Sequence, residues 1–406
     1  MDRFNEKQLP PIKSFYSSLE DKNISLSTYA HLQKIWREFE CQTLGDFHDI
    51  YLHVDVLLLA SVSENFRAVS YKNFKLDPFH HYSAPGLSWA AALKTTFAKV
   101  DLLTDVDMLM MVEQGIRGGL TVVSKRYCEA NNPNVPNYDP TKEQNHIVYF
   151  DVNNLYGHAM SQPLPYCDFQ WIEVSKIKDI YHLLNMCGEY TGMIIEVDLH
   201  YPNDLHQQHN DYPLAPHKKK INLEMLSSYQ KGILTRMKEN ALINHHPTEK
   251  LISSFLIREK YVLHNKTLAY YLEKGLIVTK IHRAFKFRQS AWLRPYVEFC
   301  TSKRQDAKSS FDRDFWKLMV NSIYGKTNGD KRKHKQIDMV FQDNIAVKRL
   351  RSELCQRFII VKEAKMIFEL IEQSVMMNKP LAVGFAILEL AKLKMFELHY
   401  DTFKKY

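Results

Sequence analysis

Residues 317–325 read KLMVNSIYG. In a helix, Lys317, Asn321 and Tyr324 would follow at i, i+4 and i+7 and would share one face. A cation, an amide and an aromatic ring in one row suit a phosphate, a sugar and a base. Gly325 costs a helix about 1 kcal/mol relative to alanine, and close approach of a ligand is one reason to keep it. The other interpretation, a solvated helix face that ends in a glycine, stays open.

The residues around this row predict two helices between 296 and 325, broken near Ser309 and Ser310. Arg304 and Lys308, predicted to lie one turn apart on the first of these helices, would add cations to a phosphate site. The segment KRKHK at 331–335 predicts an exposed basic turn. The apolar segment 383–400 predicts a last helix, with one face formed by Phe385, Leu388, Met395 and Leu398.

Upstream, residues 146–152 (HIVYFDV) have the composition of a strand, and the turn NN follows them. A carboxylate such as Asp151 at a strand end, facing a carboxylate of another strand, is suited to hold Mg²⁺. Tyr156 follows five residues later. For an isolated aspartate the commoner interpretation is structural, with Asp151 capping a turn and Tyr156 packing.

Residues 51–55 (YLHVD) place Tyr51 and Asp55 at i and i+4. On one helix face, the carboxylate would bind a metal while the phenol orients a water molecule. The structural interpretation, favoured for this pair alone, is that Asp55 caps a helix that begins at Val56.

Residues 116–127 (IRGGLTVVSKRY) contain the adjacent glycines Gly118 and Gly119, which permit close backbone approach. Arg117, Lys125 and Arg126 would meet phosphates of a nucleic acid. An ordinary turn beside a basic strand explains the same residues, and the segment alone does not decide between the two.

Composition limits the class of protein. The 406 residues include 54 Lys+Arg against 46 Asp+Glu, a formal charge of +8, and only 13 glycines. The 45% hydrophobic content excludes wholesale disorder. No apolar run is long enough for a signal sequence or a membrane span, so we expect an intracellular, non-secreted protein with no membrane partner, in a compartment that the sequence does not specify.

The six cysteines contain no CxxC pair, which argues against disulfides and zinc. Residues 129–145 predict an irregular crossing, residues from Thr191 a second strand, and residues 200–220 a polar loop or an insertion. Histidines fall in polar segments without a convincing set of partners, and we do not expect them to bind metal. They are His80, His81, His206, His209, His245 and His246.

In their order and spacing, these segments resemble the protein-primed branch of the family B DNA polymerases. The resemblance is greatest to the enzymes of virus-like self-synthesising DNA transposons, related viruses and linear plasmids. Residues 151–157 (DVNNLYG) resemble motif A, DxxSLYP, and residues 317–325 match motif B, KxxxNSxYG, at each fixed position. Residues 51–55 match the third exonuclease motif, YxxxD, and residues 116–119 stand where the family has YxGG/A.

Three residues depart from these patterns. Asn154 replaces the serine of motif A and Gly157 its proline, both within a turn. Ile116 replaces the tyrosine of YxGG/A, which weakens the prediction of a DNA contact there.

The resemblance implies a role for each matching residue. Asp151 would bind both catalytic metals, and the Val152 carbonyl one of them. Tyr156 would stack under the incoming sugar and exclude a 2'-hydroxyl, and Lys317 would hold the triphosphate. The remaining nucleotide-binding residues would be Asn154, Leu155, Arg304, Lys308, Asn321, Tyr324 and Gly325. The implied DNA contacts are Arg117, Gly118, Gly119, Lys125 and Arg126, and the implied editing-site residues are Tyr51 and Asp55.

The resemblance also implies an α+β fold, a partial polymerase right hand of palm sheet and helical fingers. Residues 1–115 would be the C-terminal part of a 3'–5' exonuclease domain. Residues 116–250 would hold a linker and the first palm strands with an insertion. Residues 251–330 would form the fingers, and residues 331–406 an insertion and the return to the palm.

The first two exonuclease motifs would lie before Met1, and motif C, with its paired aspartates, beyond Tyr406. The sequence YDT at 400–402 has one carboxylate at the end of a predicted helix, and we interpret it as unrelated to motif C. The chain is therefore predicted to be a fragment with a half-built catalytic centre.

The implied activity is template-directed DNA synthesis with two Mg²⁺ ions, or Mn²⁺ in their place. The implied partners are template-primer DNA, dNTPs and a terminal primer protein, with the chain a monomer. Two other classes stay open. One is a catalytically inactive DNA-binding remnant of a mobile element, and the other is a gene fragment that does not fold cooperatively.

Overall fold

The computed structural model describes residues 2–240, 248–362 and 365–405. The protein combines helices and strands, as the predicted α+β class requires. It divides into two compact units, Met1–Tyr82 and Ser83–Tyr406. None of the described helices is long and apolar enough to cross a membrane.

The first unit is helical. Its helices are α1 (Leu26–Glu38) and α2 (Leu44–Phe74). At the start of α2, Thr43 and Asp46 form a reciprocal capping box that satisfies two backbone N–H groups. Because α2 begins at Leu44, Asp55 lies inside a helix, and the prediction that it caps one is wrong.

The second unit contains the remaining elements in chain order. Its helices are α3 (Ala84–Thr96), α4 (Val106–Gly115), α5 (Leu155–Met160), α6 (Ile180–Asn185), α7 (Leu205–Gln208), α8 (Ser228–Glu239), α9 (Asn265–Glu273), α10 (Arg294–Gln305), α11 (Ser310–Thr327), α12 (Asp343–Leu350) and α13 (Leu381–Glu397). Its strands are β1 (Leu164–Ile172), β2 (Thr191–His200), β3 (His217–Lys220), β4 (Glu249–Ile252), β5 (Arg258–His264), β6 (Ile277–Ser290), β7 (Gln336–Val340), β8 (Cys355–Lys362) and β9 (Lys365–Leu370).

The main sheet has the strand order β1-β6-β2-β5, with each neighbouring pair antiparallel. The predicted strand from Thr191 is confirmed as β2, which lies inside this sheet and is almost wholly buried. Its apolar run (GMII) suits a strand covered on both faces. One core cluster joins β2, β5 and β6 to α4 and α13, and it includes Ile194, Val262, Phe285 and Phe385.

Residues 146–152 do not form the predicted strand. They are irregular, and the apolar side chains of residues 147–150 are exposed, with Tyr149 at 90%. A strand requires a neighbour to accept its backbone hydrogen bonds, and no described strand pairs with this segment. Residues 129–145, by contrast, are irregular as predicted, closed by a bridge between Asn131 and Asn145.

The predicted helical character of residues 251–330 holds only after residue 293. Before it, β5 and β6 join the main sheet, and α9 connects them. The many charged residues of β6 (IVTKIHRAFKFRQS) hid the alternation of apolar and polar residues that marks a strand. One of them, Arg283, forms two hydrogen bonds with Glu196 of β2 at 2.8 and 2.9 Å. Likewise, residues 200–220 are not a loop throughout, since α7 and β3 lie within them.

The C-terminal part holds a second small sheet, β7-β9-β8, with its own core around Val340, Ala346, Phe368 and Leu370. The predicted last helix is confirmed as α13, although it is buried on nearly every side rather than on one face. After α13, residues Leu398–Thr402 form a helical turn. Within that turn, Asp401 accepts a hydrogen bond from the Tyr270 hydroxyl at 3.0 Å and pairs with Lys274. The interpretation of YDT as part of a helix is confirmed.

Candidate nucleotide site

A cavity of about 700 Å³ lies in the second unit between α5, α10 and α11. The turn before α5 contributes Asn154, α10 contributes Arg304, and α11 contributes Lys317 and Asn321. Four residues selected from distant parts of the sequence therefore line one cavity. The two helices predicted between 296 and 325 form its walls and break before Ser310, as expected.

Helix α11 presents Lys317 and Asn321 to the cavity because its opposite side is held in the core. Phe315 and Met319 are 3% and 0% exposed. The Tyr296 hydroxyl of α10 donates to the Met319 carbonyl at 3.2 Å, and Ser88 of α3 contacts the Met319 sulfur at 3.4 Å. The row of polar residues predicted from the sequence is thus fixed by packing behind it.

The two departures from the motif A pattern compensate each other. Asn154 adopts the left-handed conformation (φ 58°, ψ 48°), which asparagine tolerates better than most residues. Its side chain accepts a hydrogen bond from the Gly157 N–H at 3.2 Å and so caps α5. A Cβ atom at residue 157 would overlap the Asn154 amide. Asparagine at 154 therefore requires glycine at 157.

Tyr156 and Tyr324 are brought together. Their rings stack with centroids 4.4 Å apart and planes at 29°. Burial and the adjacent Tyr324 raise the pKa of the Tyr156 hydroxyl, so this phenol stays a neutral donor beside the cavity. The structure thus places an aromatic pair where α5 meets α11.

Arg304 and Lys308 are not one turn apart on a helix. Helix α10 ends at Gln305, and Lys308 is exposed in the loop that follows. The loop forms because Ser309 caps α11 by accepting a hydrogen bond from the Asp312 N–H at 3.0 Å. Gly325 lies within α11 rather than at its end, and a Cβ there would meet nothing within 4 Å.

Asp151 is exposed and Val152 half-buried in the irregular segment before the cavity, while Leu155 begins α5. The cavity wall includes Asn153 but Asp151 is not part of it. Within the described residues, no three or more His, Cys, Asp or Glu side chains come together as a metal site would require. The described residues therefore do not fit a complete two-metal centre.

The residues of segment 116–127 that were predicted to contact DNA differ in burial and contacts. Arg117 is only 6% exposed, and its guanidinium lies 3.6 Å from the Tyr261 ring and donates to the Val262 carbonyl at 2.8 Å. It is a structural residue here, so its prediction as a surface phosphate contact is wrong. Gly118 and Gly119 have open space around them. Lys125 and Arg126 are exposed, and the segment is irregular rather than a strand.

In the first unit, Tyr51 and Asp55 share a face of α2, as the i, i+4 spacing predicts. A hydrogen bond to Asp55 raises the pKa of Tyr51. Both side chains are exposed.

The histidines and cysteines show structural contacts. His206 stacks on Phe255 at 4.2 Å, and the Tyr201 hydroxyl is 2.6 Å from Nδ1 of the buried His209. The six cysteines are free thiols, as predicted. His245 and His246 lie outside the described residues.

Sequence reasoning missed several residues of the cavity wall. Asn153, His158 and Trp316 line it beside the predicted residues. Asn153 and Trp316 are sequence neighbours of Asn154 and Lys317, so proximity was an available signal. Glu298 also lines the cavity, and nothing in its local sequence distinguishes it from a solvated residue.

Comparisons with known proteins give one family. The profile of the family described as "DNA polymerase type B, organellar and viral" matches residues 11–398. A search of curated proteins found no match. Among solved structures, phi29 DNA polymerase complexed with primer-template DNA is similar at 16% identity and a TM-score of 0.46, over 80% of this chain and 47% of that one.

The ternary complex of phi29 DNA polymerase with primer-template DNA and incoming nucleotides gives 16% identity and a TM-score of 0.45, with the same coverage. The chain thus spans about half the length of these structures. With its sequence matched almost from end to end by the family profile, the chain belongs to the organellar and viral type B DNA polymerases.

Proposed function

We propose that the chain takes part in template-directed DNA synthesis, in which a dNTP is added to a 3' end. Family membership supports this reaction class. The observation that carries the proposal is the single cavity lined by Asn154, Arg304, Lys317 and Asn321. Two cations, two amides and a nearby aromatic pair suit a nucleoside triphosphate.

Each side chain of the cavity has a role in the proposal. Lys317 and Arg304 would bind the triphosphate through charge-assisted hydrogen bonds, which are about twice as strong as neutral ones. Tyr156, braced by Tyr324, would pack under the sugar and leave no space for a 2'-hydroxyl. Asn321 would line the nascent base pair, and the open space at Gly325 would admit it.

Membership of this family suggests dependence on a divalent metal in general. We propose Mg²⁺, with Mn²⁺ as a substitute, and two ions in the complete site. Asp151 and the Val152 carbonyl would be the contribution of this segment. The described residues alone do not complete the ligand set.

The proposed domain division follows the family. Residues 1–115 would belong to an exonuclease domain in which Tyr51 and Asp55 serve the editing site. Residues 116–250 would begin the palm, 251–330 include the fingers, and 331–406 return to the palm. Gly118, Gly119, Lys125 and Arg126 would contact DNA, and Lys308 would remain a peripheral phosphate contact.

The proposed partners are template-primer DNA, dNTPs and a terminal primer protein whose hydroxyl starts synthesis. The proposed state is a monomer acting inside the cell. In one of the similar structures, primer-template DNA and incoming nucleotides are bound to phi29 DNA polymerase.

A second function has one observation in its favour. Because the described residues bring together no group of three metal-ligating side chains, the chain would bind DNA and nucleotides without joining them. Salt-dependent DNA binding without metal-dependent extension would identify this function.

The test measures two properties of the same chain. Binding of a fluorescent dNTP reports on the cavity, and extension of a primed template with Mg²⁺ reports on synthesis. We expect dNTP binding that Lys317→Gln weakens, and extension that Asp151→Asn removes. Absence of dNTP binding by the unmodified chain would contradict the cavity assignment. Binding without extension would select the second function.

A further inference from the structure

Glu298 of α10 lines the nucleotide cavity but has no part in the roles proposed above. Among the described residues that line this cavity, it is the only one with an acidic side chain. The side chain is exposed, and no ion pair joins it to a cation within the described part of the chain. A carboxylate without a counter-ion therefore faces the space proposed for a polyanion.

Two contacts between α10 and α11 fix the level of this carboxylate along the cavity. The Tyr296 hydroxyl donates to the Met319 carbonyl at 3.2 Å, and the centres of the Phe299 and Trp316 rings lie 5.7 Å apart. The contacts bracket the carboxylate on α10 and Lys317 on α11. The two charged side chains thus lie at the same level of one cavity without forming an ion pair.

A further contact ties the start of α10 to α5. The Arg294 Nε donates to the Ser161 carbonyl at 2.9 Å, at the C-terminal end of α5. A cation is favourable there because the last carbonyls of a helix lack intrahelical partners. Glu298 follows Arg294 by about one helical turn, so α10 itself, rather than a loop, sets its place relative to α5.

The carboxylate needs a hydrogen-bond donor once the cavity is filled. Water satisfies an exposed carboxylate in the empty cavity. A ligand that displaces this water without supplying a donor would leave a charged acceptor unsatisfied, which is costlier than leaving a neutral one. The nucleotide is therefore expected to bring a donor to Glu298.

A deoxynucleoside triphosphate offers few donors. Its ionised phosphates only accept hydrogen bonds. During template-directed synthesis the N–H groups of the base edge are engaged by the template base, and a dNTP has no 2'-hydroxyl. The 3'-hydroxyl is the donor that remains.

We propose that Glu298 accepts a hydrogen bond from the 3'-hydroxyl of the incoming nucleotide and makes the cavity selective for nucleotides that carry this group. The inference rests on the proposed function and names a specificity-determining residue for it. Lys317 would hold the triphosphate from the α11 side while Glu298 receives the hydroxyl from the α10 side. A site built to bind a hydroxyl group rejects the analogue that lacks it, because its polar group is then left unpaired.

The experiment compares the affinities of a dNTP and the matching 2',3'-dideoxynucleotide for the full chain. Both compete with a fluorescent dNTP, on a primed template whose primer end is blocked so that nothing is added. The unmodified chain should prefer the dNTP by about tenfold or more, the value of a hydrogen bond to a charged group. Glu298→Ala should lower the affinity for the dNTP to near that of the dideoxynucleotide, whose own affinity should not fall.

Two further variants control for charge and for folding. Glu298→Gln keeps the shape and an acceptor oxygen without the charge, so it should retain an intermediate preference. Glu189→Ala is the matched control, an exposed glutamate between α6 and β2, and it should keep the full preference. The melting temperature should be the same in all variants, because the two side chains are exposed.

Three results would overturn the inference. One is equal affinity of the unmodified chain for the two nucleotides. Another is an equal loss for both nucleotides in Glu298→Ala, which would direct the carboxylate to the base or to a magnesium ion carried by the nucleotide. The third is tighter binding of both in Glu298→Ala, which would mean that the carboxylate only repels the triphosphate.

The same measurements separate this inference from the proposed function. If the unmodified chain binds no dNTP, the nucleotide cavity and the role of Glu298 are both wrong. If the chain selects the 3'-hydroxyl as expected but does not extend an unblocked primer, the proposed synthesis is wrong and the role of Glu298 stands.

Discussion

The two sides of the segment 146–160 differ sharply. From Asn154 onward the chain is capped, helical and packed against α11, and Tyr156 stacks on Tyr324. Before Val152 the chain is irregular, and Tyr149 and Phe150 are 90% and 66% exposed. The packed side faces the nucleotide cavity, and the exposed side carries the only aspartate of the motif.

The difference shows what each kind of functional residue needs. The residues proposed to bind a nucleotide lie on helices, whose backbone hydrogen bonds are internal, and neighbouring helices fix their faces. A strand-borne carboxylate depends on a second strand for its position, because strands pair their backbone groups with neighbours. No described strand provides that pairing. The following predictions test the contrast between the two sides.

The largest effect is expected at Asp151. If this carboxylate serves synthesis, Asp151→Asn should reduce primer extension at least about a thousandfold, equivalent to roughly 4 kcal/mol in the barrier. The melting temperature and dNTP affinity should stay unchanged, because the side chain is exposed. Primer extension and thermal melting measure the two effects. A fully active Asp151→Asn chain would refute the metal-ligand role and leave the packed side as the functional one.

A smaller effect is expected on the packed side. Lys317→Gln removes one charge-assisted contact, worth about 1.5–3 kcal/mol, and should weaken dNTP binding by about tenfold or more. Lys326→Gln is the matched control on the opposite side of the same helix and should leave dNTP affinity unchanged. Fluorescence titration with a labelled dNTP measures both. Equal losses in the two variants would mean that general charge, not the cavity, attracts the nucleotide.

A stability effect should appear at the turn that joins the two sides. Gly157→Ala should destabilise the chain by about 1–3 kcal/mol, because the new methyl group overlaps the Asn154 amide. Asn154→Gly keeps the left-handed backbone accessible and removes that amide. The double variant should therefore lose less than the sum of the two single changes, a coupling of about 1 kcal/mol. Denaturant unfolding measures it, and simple additivity would contradict the compensation.

The smallest expected effect is a loss of folding stability at acid pH. Burial lowers the pKa of His264, the last residue of β5 and the N-cap of α9, to about 3. An unfolded histidine titrates near pH 6.5, so the unfolded state takes up the proton first. Stability from this residue is fully present above pH 6.5 and declines as the pH falls toward 3.

Thermal melting between pH 7.5 and pH 4 measures this decline. His264→Asn keeps a side-chain acceptor for the Lys266 N–H and should flatten the pH dependence. An unchanged profile would mean that other groups dominate the acid response. His209, whose pKa is lowered to about 4 by burial, is the next residue to test.

The sequence predicted helices better than strands, for a physical reason. The row Lys317, Asn321 and Tyr324 follows from helical periodicity alone, and α11 confirms it. The strand at 146–152 was predicted from composition, yet composition does not specify whether a partner strand is present. The charged strand β6 was missed because its Arg283 and His282 are held by the cross-strand partners Glu196 and Asp198, which are distant in sequence.

In the candidate site, too, residues set by helical periodicity were predicted and residues set by tertiary contacts were missed. Side chains on one helix face were found, and Glu298 was missed because it reaches the cavity through tertiary packing. Arg117 was assigned to the surface from its charge and its glycine neighbours. Its burial against Tyr261 depends on a contact 144 positions along the chain, which no local pattern indicates.

The way the small β7-β9-β8 sheet is connected to the main body bears on how the chain tolerates insertions and deletions. Its two connections to the main body are close together, because the Asn328 side chain after α11 donates to the Gly384 carbonyl of α13 at 3.2 Å. Gly384 has no space for a Cβ, since the Asn328 amide occupies that position. The sheet also has its own core. Residues 335–376 thus leave the main body and return to it at nearly the same point. Insertion, deletion or replacement within this segment can therefore leave the contact between α11 and α13 in place.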